Sequence, residues 1–436
     1  MCNGTKFLGP PPQCDADKSN KFNLVEKIKG GDRMLHHFKS KFFGIFAVLL
    51  FCMALPSLAA AWVTVKGDDD RWMKFGAGFR SSFSTSNNSN GGDAAGSAND
   101  FTLDNMRLYT LTQVHKNIIF EFNTEVRNSG AANLRADNSN GNTHDIHVLD
   151  ARATLTAGGF DFWFGKFLPP SERSNLDGPY FLNVYSFPLA TSPYPAIAAG
   201  RDNGAMIFKE YGGGKFKWSY GLFEGRTNAT NGDQNPDQDD NLQHAFRATY
   251  NFWDPEPGYY TTSAYYGAKD VLALAFVYRY EEDGAGTSNS TSNLQGDYAG
   301  WSVDFLMEKK LSNGGVVNLE ASYYDTDTDD VQDGTITQGQ AYRALTSYLL
   351  PNPIGWGKFQ PYVRYQHATQ DNACGTAGVL CGTGSAFGTR GIMEGGLNYI
   401  IDGHNAKIMS SFTSDKNAYN GAPVETFRIG MQFQLL

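Results

Sequence analysis

Apolar and polar residues alternate with a period of two along most of the chain after residue 62. Between Phe427 and Leu435, every odd-numbered residue is apolar and every even-numbered residue is polar or glycine. Similar alternation runs through 215–223 and 271–281. Because successive side chains of a β-strand point to opposite faces, this pattern predicts strands with one apolar and one polar face.

The pattern predicts sixteen strands, with connections that are alternately long and short. The strands begin near residues 71, 101, 117, 145, 159, 201, 215, 242, 271, 298, 315, 340, 358, 390, 405 and 424. Connections after odd-numbered strands are mostly long and polar, such as 283–296, whereas those after even-numbered strands are mostly tight, except for a Pro-rich link near 253–270. A soluble β-sandwich has no reason to sort its loops in this way. We therefore predict an all-β fold, a transmembrane antiparallel β-barrel of about 16 strands with short periplasmic turns and long external loops.

Composition supports an ordered β-protein and argues against a nucleic-acid partner. The 436 residues are 14% aromatic and include 48 Gly, a mixture that suits short strands and many turns. Lys and Arg number 36 against 45 Asp and Glu, so the formal net charge is −9. A nucleic-acid binder is expected to be basic, and this chain is acidic.

The amino-terminal region predicts export. The apolar run from Phe42 to Leu55 is shorter than the roughly 20 residues of a membrane-spanning helix, follows Lys39 and Lys41, and precedes a small-residue cleavage site at Ala61. We interpret 34–61 as a cleaved signal peptide, with an uncleaved anchor as the alternative. The mature chain, 62–436, is predicted to be a single barrel in the outer membrane of a Gram-negative bacterium.

The first 33 residues are predicted to be an untranslated leader or the product of a misassigned start codon. Lys29-Gly30-Gly31-Asp32 is what a purine-rich ribosome-binding site would encode if it were read in frame, and Met34 follows it closely. The true start is then Met34.

Few residues suggest a covalent or metal-bound feature. Two cysteines follow Ala61, Cys374 and Cys381, and in an oxidising compartment we expect them to form a small disulfide loop. The acidic stretch that begins at Asp325 has the opening spacing of a calcium loop but carries Asp330 and Ile336 where Gly and Glu are needed. No metal and no cofactor are predicted.

The polar phase of the strands is predicted to line a pore, because barrels of 16 to 18 strands leave an aqueous channel. The basic residues in this phase are Lys74, Arg80, Arg107, Arg127, Arg152, Lys217, Arg247, Arg279, Arg343, Arg364, Arg390, Lys407 and Arg428. The acidic ones are Glu121, Glu125, Asp150, Asp161, Glu281, Asp304, Glu308, Glu320 and Glu394. The small excess of bases favours anions. The alternative is that the arginines only balance the carboxylates.

The connection near 169–200 is predicted to be a constriction loop. It contains several aromatic and proline residues, among them Tyr180 and Tyr185, which are unusual in a floppy segment. Ordered loops of this length are usually functional. We expect it to fold into the barrel and present Glu172, Arg173, Asp177 and Arg201 to the pore. The alternative is a packed external cap.

The segment LDARATLTAGGFDFWFGKFLPPSERSNL, followed by GRDNGAMIFKEYGGGKFKWSYGLFEG, resembles the phosphate-selective porin O and P family. The similarity is most specific at Gly165 to Pro170, which lead into the loop, and at Arg201 to Gly204, which open the next strand. The resemblance implies a trimeric 16-stranded channel for anions such as phosphate.

Together these features predict a porin for passive diffusion of small hydrophilic solutes, with a preference for anions. The expected partners are outer-membrane lipid, lipopolysaccharide, the solutes, and two further copies in a homotrimer. One alternative is a barrel that holds an electron-transfer or other partner protein. A less favoured alternative is an outer-membrane hydrolase, because the histidines after Ala61 lie near no recognisable nucleophile motif. We therefore expect no enzymatic activity.

Overall fold

The computed structural model describes residues 62–87, 97–128, 144–189, 200–225, 241–289, 292–330, 338–370, 389–417 and 423–436. The predicted leader, the signal peptide and both Cys374 and Cys381 lie outside these residues. Within them, no helix has the length and apolar character required to cross a membrane.

Seventeen strands and one helix make up the described structure. The strands are β1 Val63–Lys66, β2 Trp72–Ser86, β3 Ala98–His115, β4 Ile118–Asn128, β5 His144–Ala157, β6 Phe160–Phe167, β7 Asp202–Tyr211, β8 Phe216–Phe223, β9 Gln243–Asn251, β10 Val271–Asn289, β11 Ser292–Lys310, β12 Val316–Asp327, β13 Gly339–Leu349, β14 Lys358–Gln370, β15 Arg390–Asp402, β16 Ala406–Asn417 and β17 Val424–Leu435. The helix, α1, is Arg173–Phe181 and is interrupted at Gly178, where φ is 62°.

Strands β2 to β17 close into a sixteen-stranded antiparallel barrel, which confirms the predicted fold class. Each strand pairs with the next one in the chain, and β17 pairs with β2 from Thr426 opposite Ser86 to Leu435 opposite Ala77. Closure gives each of these sixteen described strands a partner on both sides, as strands in hydrocarbon require. The short β1 was not predicted. It pairs with the first residues of β2, beyond the end of β17.

Strand β10 illustrates how the alternating sequence builds the wall. Leu274, Phe276 and Tyr278 are exposed on the outside, whereas residues such as Val277 and Arg279 are buried on the inside. Apolar side chains on the outer face suit contact with lipid acyl chains.

Short turns connect the strands at one end of the barrel. Between β5 and β6 the turn consists of Gly158 and Gly159, both with positive φ (60° and 76°), the conformation that a two-residue hairpin of type I′ requires. The link of 252–270 between β9 and β10 is the long connection at this end.

The predicted loop 283–296 is wrong. Strand β10 continues to Asn289 and β11 starts at Ser292, so the two strands extend the hairpin beyond the barrel wall. The pairing register shifts between Glu281 and Ala285. This extension lies beyond the residues of β10 and β11 that pair with β9 and β12, and it is rich in Gly, Ser, Thr and Asn, so its composition resembles that of a loop.

Candidate functional site

The interior of the barrel is the candidate functional site, because the structure places most of the predicted basic residues there. Arg80, Arg107, Arg152, Lys217, Arg247, Arg279, Arg343, Arg364 and Lys407 are all buried. Lys74, Arg390 and Arg428 are partly exposed, and the side chain of Arg127 lies outside the described set.

Many of these bases form ion pairs with the acids predicted on the same face. Arg107 Nη2 lies 2.8 Å from Glu125 Oε2, and the two residues are directly opposite each other on β3 and β4. Further pairs are Arg152 with Glu121, Arg247 with Asp304, Arg343 with Glu320, and Arg364 with Glu394. Arg390 pairs with Asp415, an acid that was not predicted. Much of the positive charge of the wall is thus neutralised locally.

Residues 168–189, here called the inner loop, lie inside the barrel rather than over its mouth. Leu168, Ser171 and Tyr180 are no more than 1% exposed. The wall holds the loop mainly through its backbone carbonyl groups. Arg279 donates to Pro170 O (2.9 Å), Arg247 to Ser171 O (2.8 Å), Lys407 to Leu182 O (2.8 Å), Arg80 to Tyr185 O (2.5 Å) and Arg364 to Ser186 O (2.8 Å). Arg428 donates to Ser186 Oγ (2.6 Å), and Arg343 donates to Ser174 Oγ.

Two of the four residues expected to face the pore hold the inner loop together. Glu172 caps α1 by accepting from the backbone N–H groups of Ser174 (2.7 Å) and Asn175 (2.9 Å). Arg173 donates to Glu256 Oε2 (2.6 Å) and lies 3.7 Å from Asp304. Both Glu172 and Arg173 are fully buried. Burial raises the pKa of the Glu172 carboxyl.

Asp177 and Arg201 lie close to the remaining space in the barrel. Asp177 Oδ2 accepts from Ser263 Oγ at 2.5 Å, and burial raises the pKa of this carboxyl to about 8. Arg201 Nε donates to Asp150 Oδ1 at 3.1 Å. The two residues share a cavity described below.

A second segment, residues 252–270, enters the barrel from the opposite end and meets the inner loop; we call it the inner link. Tyr259 Oη donates to Leu168 O (2.8 Å), and Ser263 N donates to Phe181 O (3.0 Å). Although burial opposes it, the Arg173 guanidinium lowers the pKa of the Glu256 carboxyl to about 2, so this pair is ionised at neutral pH. The sequence offered one signal for the link: it is the one long connection at the short-turn end, and it is rich in Tyr and Pro.

His404, in the turn between β15 and β16, joins the inner link to the inner loop. Its ring nitrogen atoms lie 2.8 Å from Ala264 O and 3.1 Å from Tyr180 O. Burial lowers the pKa of His404 to about 3, so the imidazole is neutral at physiological pH.

The two inner segments leave a cavity of about 570 Å³ beside the wall of β3, β4 and β5. Its lining includes Arg107, Glu121, Asn123 and Asp150 from this wall, Asp177 and Tyr180 from the inner loop, Tyr260, Tyr265 and Tyr266 from the inner link, and Trp62, Tyr109, Arg201 and His404. The cavity is therefore eccentric and combines charged groups of both signs with aromatic rings.

No metal-binding group of three or more His, Cys, Asp or Glu side chains occurs in the described part of the chain. The histidines there include His404, one ring nitrogen of which lies 2.8 Å from Ala264 O, and His244, which bonds to Tyr220 Oη at 2.7 Å.

No family model matches the sequence, and no curated protein matches it. Solved outer-membrane barrels do resemble the structure. OmpF of Salmonella typhi, determined in complex with daunomycin, has a TM-score of 0.55 at 13% identity over 85% of this chain and 100% of that chain. OprB of Pseudomonas putida has a TM-score of 0.54 at 12% identity over 83% and 94%. A loop-deletion mutant of OmpT, an outer membrane protein of Vibrio cholerae, has a TM-score of 0.50 at 10% identity over 84% and 100%. At these identities the similarity concerns the fold.

Proposed function

We propose that this protein is an outer-membrane porin, a channel for passive diffusion of small hydrophilic solutes. The observation that carries the proposal is a closed sixteen-stranded barrel, apolar outside and charged inside, whose inner loop leaves a cavity of about 570 Å³ lined by charged and aromatic residues. Barrels of this strand number enclose water rather than a packed core. Solutes pass beside α1, along the wall that carries Arg107 and Asp150.

The inner loop and the inner link are the proposed constriction. Both are tied to the wall or to each other by buried polar contacts, such as the Arg173–Glu256 pair. A constriction held by this many contacts keeps a fixed width, which is what a size-selective filter needs.

The finer part of the proposal is a weak preference for anions. Arg80 and Arg428 donate to oxygen atoms of the inner loop that carry no formal charge. Their positive charges therefore contribute to the field in the lumen, whereas the arginines paired with carboxylates contribute little. The extent of pairing supports a weak preference and not strict selectivity for phosphate.

The reversal potential of the purified mature protein in a lipid bilayer, measured in a tenfold KCl gradient, tests the channel and its charge preference. We expect stepwise currents and a reversal potential of the sign given by anion preference. Arg201→Gln leaves Asp150 without this partner in the cavity and shifts the reversal potential toward cation preference. Arg390→Gln, at the outer rim and paired with Asp415, is the matched control and shifts it less.

Absence of any conductance would refute the porin proposal. Stepwise currents with a cation-selective sign in the unaltered protein would refute the anion preference alone.

The assembly proposed is a homotrimer in contact with lipid and lipopolysaccharide. Strands β6 and β8 have only eight residues each, fewer than the nine to eleven typical of a barrel strand that crosses the membrane. A low wall suits contact with another copy rather than with lipid. Cross-linking in the native outer membrane should trap a species of three chains.

A further inference from the structure

The outer surface of the barrel carries a groove lined with aromatic side chains. The groove has a volume of about 490 Å³ and lies on β8, β9 and β10, where Phe246 is the direct cross-strand neighbour of both Tyr220 and Tyr278. The two tyrosines are exposed, whereas Phe246 between them is only partly exposed. Tyr220 and Tyr278 are therefore the rims of the groove, and Phe246 is its floor.

The groove also contains a polar pair that suits contact with protein better than contact with lipid. His244 and Tyr280 are part of its lining, and His244 Nδ1 lies 2.7 Å from Tyr220 Oη. Ionisable side chains in the membrane-spanning part of a protein are costly against acyl chains and usually contact protein or water. A side chain of another protein molecule is therefore a better occupant than an acyl chain.

A single phenylalanine projects from the same wall on β6. Phe164 is 53% exposed, and its cross-strand neighbours are the small residues Ala153 of β5 and Ala205 of β7. The pairing register continues this row through Leu222 to His244 of the groove. The projection and the groove therefore belong to one row of cross-strand neighbours.

The angle between the projection and the groove matches a ring of three copies. From β6 to β9, at the centre of the groove, there are three strand steps, which span about 68° of the circumference of a sixteen-stranded barrel. In a cyclic trimer the directions from one copy to its two neighbours differ by about 60°, and in a cyclic tetramer by about 90°. Two different patches at this angle suit a head-to-tail contact that closes after three copies.

From the projection, the groove and this angle we propose that Phe164 of one copy inserts into the groove of the next copy, and that three such contacts close the homotrimer. The occupant of the groove is thus a second copy of this chain. The wall between the two patches is supported from inside by a buried apolar cluster that includes Trp163, Met206 and Phe223. The inference rests on the proposed porin trimer and assigns its interface.

Cysteine cross-linking in native outer membranes tests the head-to-tail contact. Chains with Phe164→Cys and chains with Phe246→Cys, both in a Cys374→Ser, Cys381→Ser background, are coexpressed and treated with a short bismaleimide. We expect a covalent species of two chains from the mixture and none from either variant alone, because the contact joins two different patches. A chain with both substitutions should give a covalent species of three chains, because the ring closes.

Phe412 supplies the matched control. It is 47% exposed on β16, six strand steps from β6 and seven from β9, and Phe412→Cys should not cross-link to Phe164→Cys. We also expect Phe164→Ala to lower the temperature at which the trimer dissociates in sodium dodecyl sulfate, whereas Phe412→Ala should leave it unchanged.

Three results would overturn the proposed interface. A covalent species of two chains from Phe164→Cys alone would show a symmetric contact. Absence of cross-linking in the mixture would show that lipid or another surface occupies the groove. An unchanged dissociation temperature in Phe164→Ala would show that the projection does not hold the copies together.

Bilayer conductance of the same preparations distinguishes this inference from the proposed function. Stepwise currents without the cross-linked species would leave the channel and remove the interface. Cross-linked trimers without currents would leave the interface and remove the channel.

Discussion

Asp177 places an ionisable carboxyl group in a buried position. Its carboxyl lies where the inner loop meets the inner link, bonded to Ser263 and near Arg173 and Glu320. Burial raises its pKa to about 8, so this carboxyl is protonated at neutral pH in the folded protein. In the unfolded chain the same group ionises near its ordinary pKa of 3.8.

This difference predicts a stability that decreases as pH rises. Below pH 3.8 the Asp177 carboxyl is protonated in both the folded and the unfolded state. Between pH 3.8 and about 8 only the folded state retains the proton, so each increase in pH lowers the free energy of unfolding. Above about pH 8 this contribution to stability is lost. We expect the urea midpoint of unfolding in detergent to fall from pH 5 to 8. Asp177→Asn should show a smaller fall. Asp415→Asn, which removes a carboxylate at the outer rim, should keep the full slope, and an unchanged slope in Asp177→Asn would contradict the assignment.

Which face each base occupies could be predicted from sequence, but its partner could not. The two-residue period places Arg107 and Arg152 inside, and the structure agrees. Arg107 meets Glu125 because the short turn after β3 sets a register that puts these residues opposite each other. A shift of one residue in the register of β3 and β4 would have changed every pair between these strands, and sequence alone does not determine this register. The contacts of Arg80 and Lys407 with the inner loop depend on the path of a segment about 100 or 225 residues away.

At the scale of elements, the loop after β6 was predictable and the inner link was not. The loop combines length with aromatic and proline residues, whereas the link is an exception in an otherwise regular series of short turns. Its inward path depends on partners such as Arg173 and Asp177, which come from the opposite end of the barrel. Conversely, β10 and β11 were predicted too short because alternation of apolar residues ends where lipid contact ends, although strand pairing continues.

The Arg173–Glu256 pair is predicted to be the main electrostatic connection between the inner loop and the inner link. Both side chains are nearly inaccessible, so removing one partner leaves a buried charge, at a cost of about 3–5 kcal/mol. We expect Arg173→Met and Glu256→Gln each to lower the unfolding midpoint in urea strongly. The double variant should be less destabilised than the sum of the single variants.

An exposed ion pair provides the control for this cycle. Lys309 and Asp270 lie 2.5 Å apart at the short-turn end, with side chains 46% and 33% exposed. Exposed pairs contribute little, so Lys309→Met and Asp270→Asn should hardly change the midpoint. Additive effects at Arg173 and Glu256 would show that the two segments are not coupled through this contact.

At the scale of the whole molecule, alternate residues along each strand face either the interior of the barrel or its outer surface. The interior holds charged residues together with two inserted segments, while the outside is a continuous apolar surface. In the proposed membrane location, this division explains how an acidic chain can expose many large apolar side chains, because those side chains face lipid. The resemblance to solved outer-membrane barrels at low identity is consistent with this, because the pattern of alternation and closure, rather than particular residues, determines the fold.

Lipid contact predicts that the cost of a charge on the outer face depends on its depth. Phe276 lies in the part of β10 that pairs with β9, near the middle of the wall, and Phe101 lies near the long-loop end of β3. Phe276→Arg should destabilise the barrel by about 2–4 kcal/mol and Phe101→Arg by about 0–1 kcal/mol, as measured by reversible urea unfolding in phospholipid vesicles. In water the order would be reversed or absent, because Phe101 is the more exposed side chain at 86% against 42% and gains most from replacement by a charged residue. Equal effects of the two substitutions would therefore contradict a membrane-embedded wall, whereas a larger effect at Phe276 would locate the hydrocarbon region at the paired core of the barrel.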